Sequence, residues 1–272
     1  MSAADPANPA NSATDVVPRP KVTILNVTFD DITIEELLDF REGTVITVHV
    51  DSMAKLQKDR EFYDAVHKFD IVTCDSQILF LAAKLLRRPL TERVSGSDFL
   101  PRFYTRYADD ESVTIFLCGA MGDIAQQARE RINSKVGREI VVGAYGPPPG
   151  WLDDPDHVER VVDMVNESGA TVLVFGIVAG PQEIFLQGYR DRFPGVRLFL
   201  PLGGTIDYEA GAVVRPPKWI TNFGLEWAWR LIREPRRRWR RYLLHQPPVL
   251  YHLARQALGR YTDPFGGSTA AG

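Results

Sequence analysis

Short runs of β-branched and other apolar residues alternate along this chain with segments whose apolar positions recur every three or four residues. The first kind predicts strands at 21–27, 45–50, 71–74, 113–118, 139–144, 171–175 and 196–200. The second predicts helices at 34–41, 52–67, 77–86, 98–107, 124–135, 156–168 and 181–192. Strands separated by helices pair side by side in one direction, so the alternation implies an α/β fold. Its sheet is Rossmann-like and mostly parallel, with helices on both faces.

At 272 residues and 44% apolar content, the chain can bury a large core, assigned to residues 21–213. Residues 1–20 are rich in Ala, Pro, Asn and Asp. They lack the basic start and apolar centre of a secretory signal and predict a disordered tail. Residues 259–272, without apolar periodicity, predict a second tail. Between core and tail, 214–258 reads as a basic helical appendage. No stretch approaches the roughly 20 apolar residues that a membrane span needs, so the expectation is a soluble or peripheral protein. Cys74 and Cys118 each end an apolar run and read as small core residues in a reducing compartment.

The net charge of −3 conceals an asymmetry, because residues 215–260 hold eleven Lys or Arg against two acids. Seven arginines fall within 229–242. Arg230, Arg233, Arg237, Arg240 and Arg241 recur at helical spacing and share one face, and Pro235 divides the segment into two short helices, one ending near Arg233. Arginine suits planar contact with phosphate or carboxylate, and the interleaved tryptophans suit a membrane interface as well as an ordinary core. The charge alone points to nucleic acid, an anionic membrane or a phosphorylated ligand.

In parallel sheets, ligands sit beyond the carboxyl ends of the strands, so the loops there are the place to look. Asp75 ends the strand IVTCD and is either a helix N-cap or a general base in a cleft. Thr47 and His49 end the preceding strand. Gly119 opens a Gly-Ala-Met-Gly turn, a weak phosphate-loop signal that reads more simply as a tight turn. Gln182 and Glu183 follow Pro181 at a helix start, where Glu183 either faces the cleft or favours the helix dipole. Gly203 and Gly204 close the last strand. Asp154 and Asp156 match an Asp-x-Asp metal pattern but sit in a turn where a cap accounts for them better. No zinc ligand spacing and no P-loop occurs, so neither metal nor cofactor is expected.

Seven of these segments, taken in order, resemble the WecG/TagA/CpsF family of bacterial glycosyltransferases over about residues 22–243. They are Thr47-Val48-His49, Asp75-Ser76, Glu92-Arg93-Val94-Ser95-Gly96-Ser97-Asp98, Ala179-Gly180-Pro181-Gln182-Glu183, Gly203-Gly204, Arg215-Pro216-Pro217-Lys218-Trp219 and the stretch from Leu225 to Arg241. The resemblance implies transfer of a sugar from a UDP donor to an undecaprenyl-diphosphate-linked oligosaccharide, with inversion and without metal. It implies Asp75 as general base and Thr47 and Gln182 in the same pocket. His49, Arg93, Gly119, Glu183, Gly203, Gly204 and Arg215 are the expected substrate contacts. Arg230, Arg237 and Arg240 match the positions that the family's C-terminal appendage brings over the active site, where cations offset charge on the leaving diphosphate. The implied location is cytoplasmic and peripheral, against the anionic inner face of the membrane, and a homo-oligomer is compatible with it.

The chain departs from the family pattern where His49 replaces Asn, Ser76 replaces Gly, and Ile177 and Ala179 alter the turn before Pro181. The donor therefore stays open between glucose, as in exopolysaccharide assembly, and N-acetylmannosamine or its uronic acid. An NAD-dependent oxidoreductase would need a full G-x-G-x-x-G and an acid about twenty residues on, and the chain has neither. A nucleic-acid-binding module using the arginine segment would bind with steep salt dependence; the transferase reading predicts preference for anionic liposomes and UDP, with no nucleic-acid partner.

Overall fold

A computed structural model describes residues 19–214, 217, 220, 226–233 and 247–266. A hairpin, β1 (Lys21–Ile24) and β2 (Val27–Asp30), precedes six strands: β3 (Gly43–Val48), β4 (Ile71–Cys74), β5 (Ile115–Gly119), β6 (Val141–Tyr145), β7 (Val172–Gly176) and β8 (Leu198–Pro201). These six form one sheet in the order β4-β3-β8-β7-β5-β6, every pairing parallel. Eight helices lie in the body of the chain: α1 (Ile34–Leu38), α2 (Val50–Lys55), α3 (Arg60–Val66), α4 (Gln77–Leu85), α5 (Gly96–Arg106), α6 (Ile124–Val136), α7 (Pro155–Glu167) and α8 (Pro181–Tyr189). A short ninth, α9 (Thr205–Ala210), follows the last strand, and helices Glu226–Arg233 and Pro247–Ala257 lie in the segment expected to be helical.

Both faces of the sheet are covered, which is why its strands read as continuous apolar runs. Alternation survives in the sorting of side chains. Leu173 and Phe175 join the core on one face, with α2, α3, α7, α8 and Pro247–Ala257. Val172 and Val174 join the core on the other, with α1, α5, α6 and α9.

The expected strand at 21–27 is instead a hairpin. Leu25 takes a left-handed conformation (φ 54°) at its tip, a position where Gly or Asn is the usual signal. Burial overrides that preference. Asn26 donates to the Leu56 carbonyl at 2.7 Å, and the Leu25 N–H donates to Gln256 Oε1 at 2.9 Å. The single helix expected over 52–67 is two, because Asp59 caps a new start by accepting from the Phe62 N–H at 3.0 Å. Residues 259–266, expected to begin a tail, run back over the body. Tyr261 donates to Gln57 at 2.7 Å, and the Phe265 ring lies 5.1 Å from that of Tyr63.

Topology fixes where a ligand can enter. The chain leaves β3 toward α2, whose Met53 belongs to one core, and leaves the neighbouring β8 toward α9, whose Ile206 belongs to the other. Connections that diverge to opposite faces open a crevice at the carboxyl ends of these two strands, with the end of β4 beside it.

Candidate functional site

Asp75 stands at that crevice. Its N–H extends the parallel ladder to the Val48 carbonyl at 2.9 Å, so the strand holds its backbone. Capping of α4 falls to the next residue: Ser76 Oγ accepts from the Leu79 N–H at 3.4 Å. The Asp75 carboxylate is thus turned to another partner, the Arg93 guanidinium, which donates to it at 3.0 Å. Both side chains are partly open to solvent, at 22% and 16%. A second carboxylate, Asp98, stands 3.9 Å from the same guanidinium.

The segment 92–98 sits there for traceable reasons. The Val94 N–H donates to the Cys74 carbonyl at 3.0 Å, laying the segment along the end of β4 and setting Arg93 beside Asp75. Glu92 accepts from the Ile34 N–H at 2.9 Å and ties it to α1. Gly96 opens α5 in a gap too tight for a side chain, because a Cβ there would lie 3.0 Å from Leu202 Cδ2 and 3.4 Å from Thr47 Oγ1. That close approach brings Thr47, half-buried on β3, and the turn after β8 against the start of α5. The expected pattern Glu-Arg-x-x-Gly-x-Asp therefore resolves into a tether, a partner for Asp75 and a close packing contact.

His49 caps α2, its Nδ1 accepting from the Asp51 N–H at 3.2 Å. An asparagine oxygen would make the same bond, so the departure from the family residue keeps the capping role while changing the shape presented to the crevice.

Gly119 and Gly176 end the paired strands β5 and β7. A Cβ on Gly119 (φ 144°) would lie 2.5 Å from the Gly176 carbonyl carbon and oxygen, so the two loops approach backbone to backbone. Gly203 turns left-handed (φ 54°), and Thr205 Oγ1 ties the turn by donating to the Leu202 carbonyl at 2.8 Å.

Gln182 and Glu183, expected to meet ligand, are each 2% exposed and shape their own loop. Gln182 accepts from the Ile177 N–H at 3.1 Å and donates to Glu183 at 2.7 Å, and Glu183 accepts from the Gly180 N–H at 2.6 Å. Burial pushes the Glu183 carboxyl up, against the pull of these donors and of Lys55. Lys55, which sequence alone did not single out, donates to the Ala179 carbonyl at 2.6 Å and pins this loop to α2. An exposed lysine in the short helix after a strand carries no signal that marks it.

Asp154 acts as a cap, accepting from the N–H groups of Asp156 and His157. Among the described residues, no three His, Cys, Asp or Glu side chains converge as metal ligands. Arg215, Arg237 and Arg240 lie outside the described residues. Arg230 falls within helix Glu226–Arg233, and its side chain is likewise outside what is described.

A carboxylate held at a strand end by a guanidinium, in a crevice rimmed by glycine turns, can take a proton from a hydroxyl beside it. Comparison with known proteins bears on which hydroxyl. Residues 22–263 match the glycosyl transferase WecG/TagA/CpsF family. The chain is also 29% identical over 231 residues to the N-acetylglucosaminyldiphosphoundecaprenol N-acetyl-beta-D-mannosaminyltransferase of Bacillus subtilis (strain 168), a match covering 81% of this chain and 86% of that protein.

Proposed function

The chain belongs to the WecG/TagA/CpsF family of glycosyltransferases, and from that premise we propose that it moves a sugar from a UDP-sugar to an undecaprenyl-diphosphate-linked saccharide, inverting the anomeric centre without a metal. The observation that carries this reading is the Asp75 carboxylate at the end of β4, paired with Arg93 and partly open to solvent at the carboxyl ends of the strands.

Asp75 takes the proton of an acceptor hydroxyl as that oxygen attacks the anomeric carbon. The new glycosidic C–O bond forms as the bond to UDP breaks on the opposite side, and the electron pair leaves with the diphosphate. Arg230, Arg237 and Arg240 offset the charge that builds there, the service a metal would otherwise give. Thr47 and His49 line the donor side, and Gln182 and Glu183 act through the loop they hold. The acceptor resembles that in the relative's name, an N-acetylglucosaminyl diphosphoundecaprenol. The donor is N-acetylmannosamine or its uronic acid, as in that relative, or glucose, as in exopolysaccharide assembly. Such an acceptor puts the enzyme at the inner face of the cytoplasmic membrane. No helix among the described residues is long and apolar enough to cross a bilayer.

Incubation of the purified protein with radiolabelled UDP-sugars and membranes bearing the lipid-linked acceptor tests this. Label entering the lipid fraction from one donor names the reaction, and no transfer from any donor to a verified acceptor overturns it.

A further inference from the structure

Helix α4 starts two residues after Asp75 and is apolar on nearly every side. Leu79 and Ala83 face the core and are fully buried. Leu81 and Leu85, one turn apart on the outer surface, are 53% and 81% exposed. A core helix has no reason to present two leucines to water on one stripe.

Cations surround them. Residues 77–91 hold Lys84, Arg87 and Arg88 and no acidic residue, and all three are exposed. Among the described residues, none of the three enters an ion pair. Lys84 Nζ stands 4.8 Å from the centre of the Phe80 ring and covers the flank of the stripe. At the helix end, Arg87 adopts a left-handed backbone (φ 58°), where glycine is the ordinary choice, and the Arg88 N–H closes the turn on the Ala83 carbonyl at 2.9 Å. A strained position is thus occupied by a cation next to a second cation. The nearest acids along the chain are engaged elsewhere: Asp75 with Arg93, and Glu92 with the Ile34 N–H.

Exposed leucines beside cations that enter no ion pair among the described residues complement an anionic lipid surface: the leucines enter the headgroup boundary and the cations meet phosphate. We infer that α4 is a membrane-docking element, a site separate from the arginine segment of residues 229–242. The helix is about 13 Å long and starts at the crevice. Docking along it therefore holds Asp75 just above the headgroups, where the diphosphate of a lipid-anchored acceptor emerges.

The test pairs vesicle flotation with a local probe. In the full-length protein, Leu81→Gln/Leu85→Gln lowers binding to phosphatidylglycerol-containing vesicles by about tenfold or more, and Lys84→Gln/Arg88→Gln lowers it by about fivefold per cation at low salt. Both leave the thermal midpoint unchanged. The two native cysteines are buried, so a Leu85→Cys variant takes a polarity-sensitive dye at one place. Its emission shifts to the blue on anionic vesicles, not on phosphatidylcholine alone, whatever other segments bind. No dye shift, with both double variants binding as the unaltered protein does, overturns the inference. A fall in molecular mass by light scattering in the leucine variant, with vesicle binding intact, also overturns it and assigns the patch to a second copy of the chain. Transfer to a short-chain, water-soluble acceptor stays at full rate in these variants. A failure of docking is thus distinguishable from a failure of the proposed reaction.

Discussion

The Arg93 guanidinium donates to the Asp75 carboxylate over 3.0 Å, and the bond from the Val94 N–H to the Cys74 carbonyl lays the segment that carries Arg93 along the end of β4. The pairing orients the carboxylate. Arg93→Gln is expected to lower kcat about a hundredfold through misplacement of Asp75, with little change in KM for the donor. Arg93→Lys restores part of the loss, since it returns the charge without the fork. Equal activity in all three proteins would remove Arg93 from the site.

Gly119 tests the close approach of the loops after β5 and β7. A methyl at this position would collide with the Gly176 carbonyl at 2.5 Å, whereas one on Gly122, also at positive φ (61°), meets nothing within 4 Å. Gly119→Ala should therefore lose about 3 kcal/mol or more in urea unfolding, and Gly122→Ala about 1 kcal/mol. Similar losses for the two would show that backbone strain alone, and not contact between the loops, sets the requirement.

Glu183 gives the pH dependence a sign. Burial raises its folded pKa above the ordinary 4.5. Between 4.5 and the folded value, the native state holds a proton that the unfolded state has lost, so stability falls as pH rises through that window. Glu183→Gln removes this slope. Urea titrations from acid to neutral pH should show the unaltered protein losing stability relative to the variant. Parallel curves would mean that the donors from Gly180 and Gln182 offset the burial fully.

Much of the architecture was legible because both faces of the sheet are covered, so each strand announces itself as an apolar run and each helix as a period near 3.6. What escaped was decided by distant contacts. Nothing local marks Leu25 as the tip of a hairpin; Gln256, far along the chain, accepts its N–H. Asp75 was left between cap and base by pattern alone, and the choice fell to its neighbour Ser76, whose hydroxyl caps α4. Gln182 and Glu183 show the reverse error: polar residues at a helix start read as facing a cleft, yet they turn inward to shape their loop. Tyr261 and Phe265 lack periodicity because single aromatic anchors, not a helix, hold 259–266 to the body, and the family match reaching residue 263 covers part of that stretch.

Chelation should leave transfer unaffected. Asp154 directs its carboxylate to the start of α7, and no ligand cluster stands among the described residues. In the proposed reaction, cationic side chains carry the charge of the leaving diphosphate. Loss of turnover in EDTA, restored by magnesium or manganese, would refute the metal-free reading.

The most direct measurement is the single-turnover rate of sugar transfer by Asp75→Asn beside the unaltered protein, with thermal midpoints compared. Asparagine keeps the shape of the side chain and a partner for Arg93 but cannot take the proton. The account predicts a fall of about a thousandfold with the fold intact. A variant that transfers sugar at near the normal rate would contradict it and take the general base away from Asp75.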